Sequence, residues 1–192
     1  VFRRWPVAPS GLYTAHMFFD KAGTWDISVV ATSLSGASRS VSIRIQVNET
    51  SMTPSVGTSA PRSRSKTMSD VGSLQELTTD RRPESALYET NIANAIEMNR
   101  PVLVLFATPA YCQTATCGPQ IEVVKELMDR FKDRMSFVHV DTYDNPHEIQ
   151  GDLSRGVVSP TVKEWGLSSE PWTFIIDDLG RVSAKFEAFT TR

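Results

Sequence analysis

The sequence predicts two fold classes in one chain. Residues 85–192 read as an α/β domain, and residues 1–48 as a small all-β, sandwich-like module, with residues 49–84 a partly docked linker between them. Three observations carry this. Apolar and polar residues alternate in the first stretch with a period of two. The last stretch holds an unbroken apolar run, Val102–Phe106, followed by a helix-period pattern. Between them, residues 48–72 are rich in Ser, Thr, Pro, Gly and Arg and show no apolar period.

In chain order, residues 11–19 form a strand candidate, and Asp20-Lys21-Ala22-Gly23 a turn. Trp25, Ile27, Val29 and Ala31 alternate with polar positions, as do Val41, Ile43, Ile45 and Val47 after the turn Leu34-Ser35-Gly36-Ala37. That is meander spacing, part of a β-sandwich, with Met17, Phe18, Phe19 and Trp25 as expected core and His16 as a surface histidine. Leu74, Leu77 and Thr78-Thr79-Asp80 are expected to dock on the second domain. Leu87, Tyr88, Ile92, Ala95 and Ile96 predict one helix over residues 85–99.

Val102–Phe106 has no alternation, as a strand covered on both faces requires. Ile121, Val124, Leu127, Met128 and Phe131 then recur at three- and four-residue steps, the signature of a long amphipathic helix. Pro119 near its start is tolerated because that amide has no intrahelical partner. Strands follow at residues 135–141 and 171–177. A turn at Asp178-Leu179-Gly180-Arg181 leads into a last strand, residues 182–189.

Charge is uneven. Residues 1–48 carry five Lys/Arg against two Asp/Glu, whereas residues 85–192 carry ten against fifteen, so the two regions read as separate units. The net charge of −2 excludes a general nucleic-acid binder. No apolar run approaches the roughly 18 residues of a membrane helix, so any membrane anchor lies outside this stretch.

The chain has two cysteines, Cys112 and Cys117, at the junction of the apolar run and the amphipathic helix. A cysteine at a helix N-terminus feels amide N–H groups and the positive end of the macrodipole, which favour a nucleophilic thiolate. Two close cysteines and no others suggest a redox pair rather than a disulfide framework. Which of the two attacks is open: Cys117 lies nearer the helix start, and Cys112 follows the aromatic-containing turn.

The strand into Cys112, the helix start Cys117-Gly118-Pro119, Val138-His139-Val140-Asp141 and Glu170-Pro171-Trp172-Thr173-Phe174 together resemble the thioredoxin superfamily, TlpA-type exported domains included. The order Gly11-Leu12-Tyr13 to Trp25 resembles the end of an immunoglobulin-like surface module. The resemblance implies a cis peptide before Pro171 facing the cysteines, with Glu170 next to the site. Glu170, Pro171, Tyr111 and Trp172 are the candidate substrate-binding residues; Tyr111, Trp165 and Trp172 either form a shallow apolar groove for a peptide or partner loop or pack around the loop. Three departures stand out. The spacing is Cys-x4-Cys, with Gln120 where the family's second cysteine falls. Val104, Leu105 and Phe106 replace the family's buried carboxylate, so no internal proton acceptor is expected. The chain also ends where a closing helix is expected.

The leading expectation is an extracytoplasmic, bacterial thiol-disulfide oxidoreductase, using Cys112 and Cys117 as catalytic residues without a cofactor and acting on protein thiols, disulfides or a redox partner. Two alternatives stay open. One is a non-catalytic binding protein with a structural disulfide on the same scaffold. The other is a copper-binding protein resembling the Sco type, with Cys112, Cys117 and His147 as ligands, since thiolates and imidazole suit Cu(I). His139, within a strand, reads as a strand-end or core histidine.

Overall fold

The computed structural model describes residues 17–112 and 116–190, together with the backbone of two short strands, β1 (Phe2–Arg4) and β2 (Gly11–Tyr13), which pair with each other. His16 lies outside the described residues. The chain divides into two compact units, with the change at Ser51–Met52.

In the first unit, β3 (Gly23–Thr32) and β4 (Ser38–Val47) form an antiparallel hairpin, with Trp25 opposite Ile45 and Ile27 opposite Ile43. A tight turn closed by Ser33 N–H to Ala37 C=O, 2.8 Å, joins them, and Arg44 and Asp26 pair across the strands at 2.8 Å. The predicted core is not there. Met17 and Phe18 are 56% and 88% exposed, and Val29, Val41 and Ile43 also face solvent. Phe19 and Trp25 are half-buried and touch edge to face, ring centres 5.2 Å apart. The physical reason is the absence, among the described residues, of a second layer: a two-stranded ribbon cannot enclose either of its faces.

The second unit is a four-stranded sheet with helices on both faces, a mixed α/β arrangement. Its strands are β5 (Val102–Phe106), β6 (Ser136–Val140), β7 (Trp172–Ile176) and β8 (Val182–Glu187), in the order β6-β5-β7-β8. β5 runs parallel to β6 and antiparallel to β7, and β7 runs antiparallel to β8. The five residues of β5 are all buried because each face meets its own core. Val102, Val104 and Phe106 join α1 (Ile92–Glu97), α4 (Pro160–Glu164) and Trp165 on one side. Leu103 and Leu105 join α2 (Cys117–Phe131) with Leu77, Leu87 and Tyr88 on the other.

The single helix expected over 85–99 is broken. A 3-10 turn covers Ser85–Tyr88, and α1 starts afresh at Ile92, capped by the Asn91 side chain accepting from the Asn94 amide at 2.8 Å. The break sends Leu87 and Tyr88 to one face of the sheet and Ile92, Ala95 and Ile96 to the other. A continuous helix would hold them on one side.

The compositional linker is bound from Met52 onward. Gly57 N–H donates to Val182 C=O, Val182 N–H to Thr58 C=O and Ala60 N–H to Gly180 C=O, all at 2.8–2.9 Å, so the segment lies along the start of β8. Ser63 Oγ accepts from Trp165 Nε1–H at 2.9 Å. Gly180 is required at its turn: its φ is +75°, and a Cβ would meet Ile96 Cγ2 at 2.9 Å. Between β6 and β7 lies the short helix α3 (Pro146–Ile149) before α4. Among the described residues no helix is long and apolar enough to cross a membrane.

Because the sheet carries the core and the hairpin does not, Leu105→Ala is expected to cost about 2–5 kcal/mol in urea unfolding. Val41→Thr on the exposed hairpin is expected to stay within about 0.5 kcal/mol.

Candidate functional site

β5 ends at Phe106, and the chain turns at once through Ala107–Ala110, with Tyr111 N–H donating to Thr108 C=O at 3.2 Å. Cys112 follows, and α2 opens on Cys117. The two cysteines form a disulfide with Cα atoms 5.8 Å apart, inside the span that bridging allows. Gln113–Ala115, between them, lie outside the described residues. Cys117 is fully buried and Cys112 half-buried. The Cys117 amide donates to Cys112 Sγ at 3.3 Å. The first free amide of a fifteen-residue helix thus points at the more accessible sulfur.

Gln120 is a tie rather than a reactive group. Its amide donates to Thr173 Oγ1 at 3.3 Å, and its carbonyl accepts from the Thr190 amide at 2.8 Å.

The Glu170-Pro171 peptide is cis, and one Glu170 carboxylate oxygen and the two sulfurs all lie within 4.8 Å of one another. The sequence offered no carboxylate on β5, and one nevertheless stands beside the sulfurs. The acid comes from the loop before β7, not from β5, where Val104, Leu105 and Phe106 are committed to the two cores. Burial raises the pKa of Glu170, and hydrogen bonds from the Thr108 and Thr142 hydroxyls and the Thr108 amide only partly offset it. The Thr142 hydroxyl lies 3.1 Å from Glu170 Oε2.

A second carboxylate stands behind the first. Asp141 follows β6 and is almost fully buried. It accepts from the Thr79 amide (2.8 Å), the Thr79 hydroxyl (2.9 Å), the Thr108 hydroxyl (2.9 Å) and the Tyr143 amide (3.2 Å). Burial raises its pKa to about 6 despite these donors. The hydroxyls of Thr108 and Thr142 touch each other. Sequence reasoning placed Asp141 at a strand end but gave it no role. The signal was there: a carboxylate just past the strand Ser136–Val140, with a threonine next to it and another two residues past the end of the neighbouring strand.

The remaining predicted residues divide. Tyr111 is half-buried, and its hydroxyl accepts from the Gly151 amide at 3.1 Å. Trp172 is half-buried, stacked on Phe174 with ring centres 5.7 Å apart, its Nε1–H donating to Ser169 Oγ. Trp165 takes the packing alternative. It is completely buried between Phe106 and Phe174, at 5.0 and 4.7 Å, because its apolar ring completes the core beneath α4. A largely apolar cleft of about 320 Å³ flanks Glu170, lined by Thr142, Tyr143, Val158, Val162 and Leu167. A cleft of about 380 Å³ with charged walls, Asp80, Arg81, Arg82 and Glu122, lies along Pro109, Ala110, Gly118 and Pro119.

Among the described residues, Glu170 is the third donor beside the cysteines, and His147 lies outside that group. His147 sits on α3, exposed, with Nε2 3.9 Å from Glu148. Joined as a disulfide, the sulfurs are not thiolates, which is the form that metals bind. His139 is buried in the strand as expected. Its Nδ1 lies 2.7 Å from the Tyr88 hydroxyl and its Nε2 3.1 Å from Ala107 C=O, which fits a neutral ring donating from Nε2. No protein family matches the chain by sequence, and no curated protein matches it closely enough to count as a relative.

His139 has a consequence for acid stability. Burial lowers its pKa from 6.5 to about 4, so the unfolded chain takes up this proton first. Its contribution is present above pH 6.5 and is lost as pH falls towards 4. Asp141, with a raised pKa, acts with the opposite sign as pH falls from about 6 to below 3.8, so the test compares a variant with its parent. Between about pH 7 and about pH 4 the parent's stability relative to His139→Gln is expected to fall by about 3 kcal/mol, read by urea unfolding.

Proposed function

We propose that the second unit is a thioredoxin-like domain whose Cys112–Cys117 disulfide exchanges with thiols and disulfides of other proteins. The observation that carries this reading is the Glu170 carboxylate within 4.8 Å of both sulfurs at a helix N-terminus. A structural bridge needs no acid of raised pKa beside it; thiol exchange does, because each step makes or consumes a thiolate. The cis peptide before Pro171 and the clefts beside Glu170 and along Gly118-Pro119 add support. A lasting disulfide in a chain with two cysteines fits an oxidising compartment outside the cytoplasm.

Exposure assigns the roles. Cys112 is the sulfur a partner reaches, and as a thiolate it accepts the Cys117 amide at the positive helix end. Cys117, enclosed, is the resolving sulfur. When a partner dithiol reduces the pair, its thiolate attacks Cys112 and the Cys112–Cys117 bond breaks. Cys117 leaves with the electron pair and takes a proton from Glu170. The partner's second thiol, deprotonated, then attacks the mixed disulfide. Cys112 is released as a thiolate, and the partner departs oxidised by two electrons.

Equilibration with glutathione or dithiothreitol, with thiols counted by mass after alkylation, tests this. A potential between about −120 and −270 mV is expected, and a value below about −300 mV would make the bridge structural. In Cys117→Ser the remaining Cys112 is expected to alkylate with a pKa clearly below the ordinary thiol value of about 8.5. Glu170→Gln is expected to slow reduction of the pair by about 10²-fold or more while leaving that alkylation pKa within the thiolate range.

A further inference from the structure

We propose that, in the reduced protein, the Cys112 and Cys117 thiolates and the Glu170 carboxylate bind one zinc ion, so that the same two sulfurs alternate between a disulfide and a metal site. Such a site goes beyond the exchange reaction above and needs only that the pair can be reduced.

The donors are already gathered. One carboxylate oxygen of Glu170 and the two sulfurs lie within 4.8 Å of one another. In a tetrahedral zinc site, with Zn–S about 2.3 Å and Zn–O about 2.0–2.2 Å, neighbouring ligand atoms stand roughly 3.6–3.8 Å apart. Reduction frees the sulfurs to separate, and side-chain rotation brings the three atoms to that spacing. Two thiolates and a carboxylate then share a partly buried space, where their mutual repulsion is strong and a divalent cation relieves it. A helix N-terminus ordinarily disfavours a cation. Here the Cys117 amide aims at Cys112 Sγ, 3.3 Å away, so it meets a ligand atom and not the metal. The carboxylate is held from outside as well. Glu170 accepts from the Thr142 hydroxyl at 3.1 Å and from the Thr108 hydroxyl and amide. Outer hydrogen bonds of this kind orient metal ligands.

The donor set selects the ion. Thiolates suit both Cu(I) and Zn²⁺, and a carboxylate suits the harder, divalent one. Three protein ligands leave the fourth tetrahedral position to water, the pattern of an open zinc site. The cleft of about 320 Å³ beside Glu170 has room for it, against the roughly 30 Å³ of a water molecule. His147, outside the group, takes no part. The chemistry balances. A dithiol reductant gives two electrons to the disulfide and becomes a disulfide itself, leaving Cys112 and Cys117 as thiols. Binding releases their two protons to solvent and forms two Zn–S bonds and one Zn–O bond. Reoxidation takes two electrons from the sulfurs, joins them and expels the ion, which keeps its own oxidation state throughout. Zinc therefore stabilises the reduced pair and withdraws it from thiol exchange.

The test titrates phosphine-reduced protein, freed of reductant without oxygen, with Co²⁺ as a coloured stand-in and then with Zn²⁺. One ion per chain is expected, with thiolate-to-cobalt charge-transfer absorption that zinc abolishes by displacement. The oxidised protein is expected to take up none. Glu170→Gln is expected to weaken zinc binding by at least about tenfold, and Thr142→Val, which keeps the ligand and removes an outer hydrogen bond, by about tenfold. His147→Ala is expected to change nothing. On the parent alone, free zinc at a hundred times its dissociation constant is expected to raise the reduction potential of the pair by about 60 mV, two tenfold steps of about 30 mV each. No uptake by the reduced parent overturns the proposal, as does one ion per two chains. Zinc binding that is unchanged in Glu170→Gln overturns it too, and so does a preference for Cu(I) that ignores this substitution. A potential below about −300 mV with zinc uptake intact removes the redox reading and leaves the metal site standing. A potential in the catalytic range without zinc uptake does the reverse.

Discussion

Every polar group at the site depends on the pairing of β5 with its two neighbours. The parallel ladder puts Phe106 beside Val140, so the residues just beyond the two strands, Thr108 and Asp141-Thr142, leave the sheet at the same edge. The antiparallel ladder on the other side puts Phe106 beside Trp172, so the chain entering β7, Glu170-Pro171, arrives there as well. Three segments far apart in sequence thus deliver two acids, two hydroxyls and a disulfide to one strand end. A one-residue slip in either ladder would turn the β5 side chains over and exchange the two cores. Because each face of β5 is packed to completion, the register is strongly held, and the site inherits its precision from apolar packing.

That packing also sets the electrostatics. A carboxylate in a buried setting loses hydration, and its pKa rises unless donors replace the water. Asp141 has four such donors and is still raised, and Glu170 has its threonine partners and is raised too. Their hydrogen bonds therefore keep the acids in place without fixing them in the ionised state. An acid so placed holds its proton to higher pH than an exposed carboxylate does, the property that the proposed thiol exchange would draw on. His139, two residues from Asp141, shows the contrast. It is held neutral between Tyr88 and Ala107 and takes no part in proton exchange.

Much of the second unit was legible in the sequence because its signals are local. The unalternating run of β5, the amphipathic period of α2 and the turn after β7 are each written in a few consecutive residues. What was not legible depends on distance in the chain. The resemblance put Glu170 next to the cysteines, but only the fold brings its carboxylate within 4.8 Å of both sulfurs, and the lack of an acid on β5 hid that one arrives from another segment. The helix predicted over 85–99 failed because Leu87 and Tyr88 fit the same apolar period as Ile92 and Ile96, although a capping asparagine splits them. Trp165 was left open between groove and packing because an indole near a site reads equally well as a lid or as core, and only the packing of Phe106 and Phe174 decides. In the hairpin the alternation was correct and the burial was not, since alternation states which residues share a face but not whether anything covers it.

The segment from Met52 to Glu84 carries the argument one step further. Its composition is that of a tether, yet it supplies parts that the sheet lacks. Thr79 gives Asp141 two of its four hydrogen bonds, and the neighbouring Asp80 holds Lys125 of α2 at 2.7 Å. Ser63 satisfies the buried indole of Trp165. If this segment lifted away, Asp141 would keep its place at the strand end but lose half its donors, and burial would then act on a less supported charge. The support of Asp141 is thus tied to the docking of a stretch that lies far from both cysteines in the sequence. Polar segments of this kind are held by backbone and hydroxyl hydrogen bonds, which leave no period in the sequence. They are accordingly the part of such a site that periodicity cannot find, even where the chemistry leans on them.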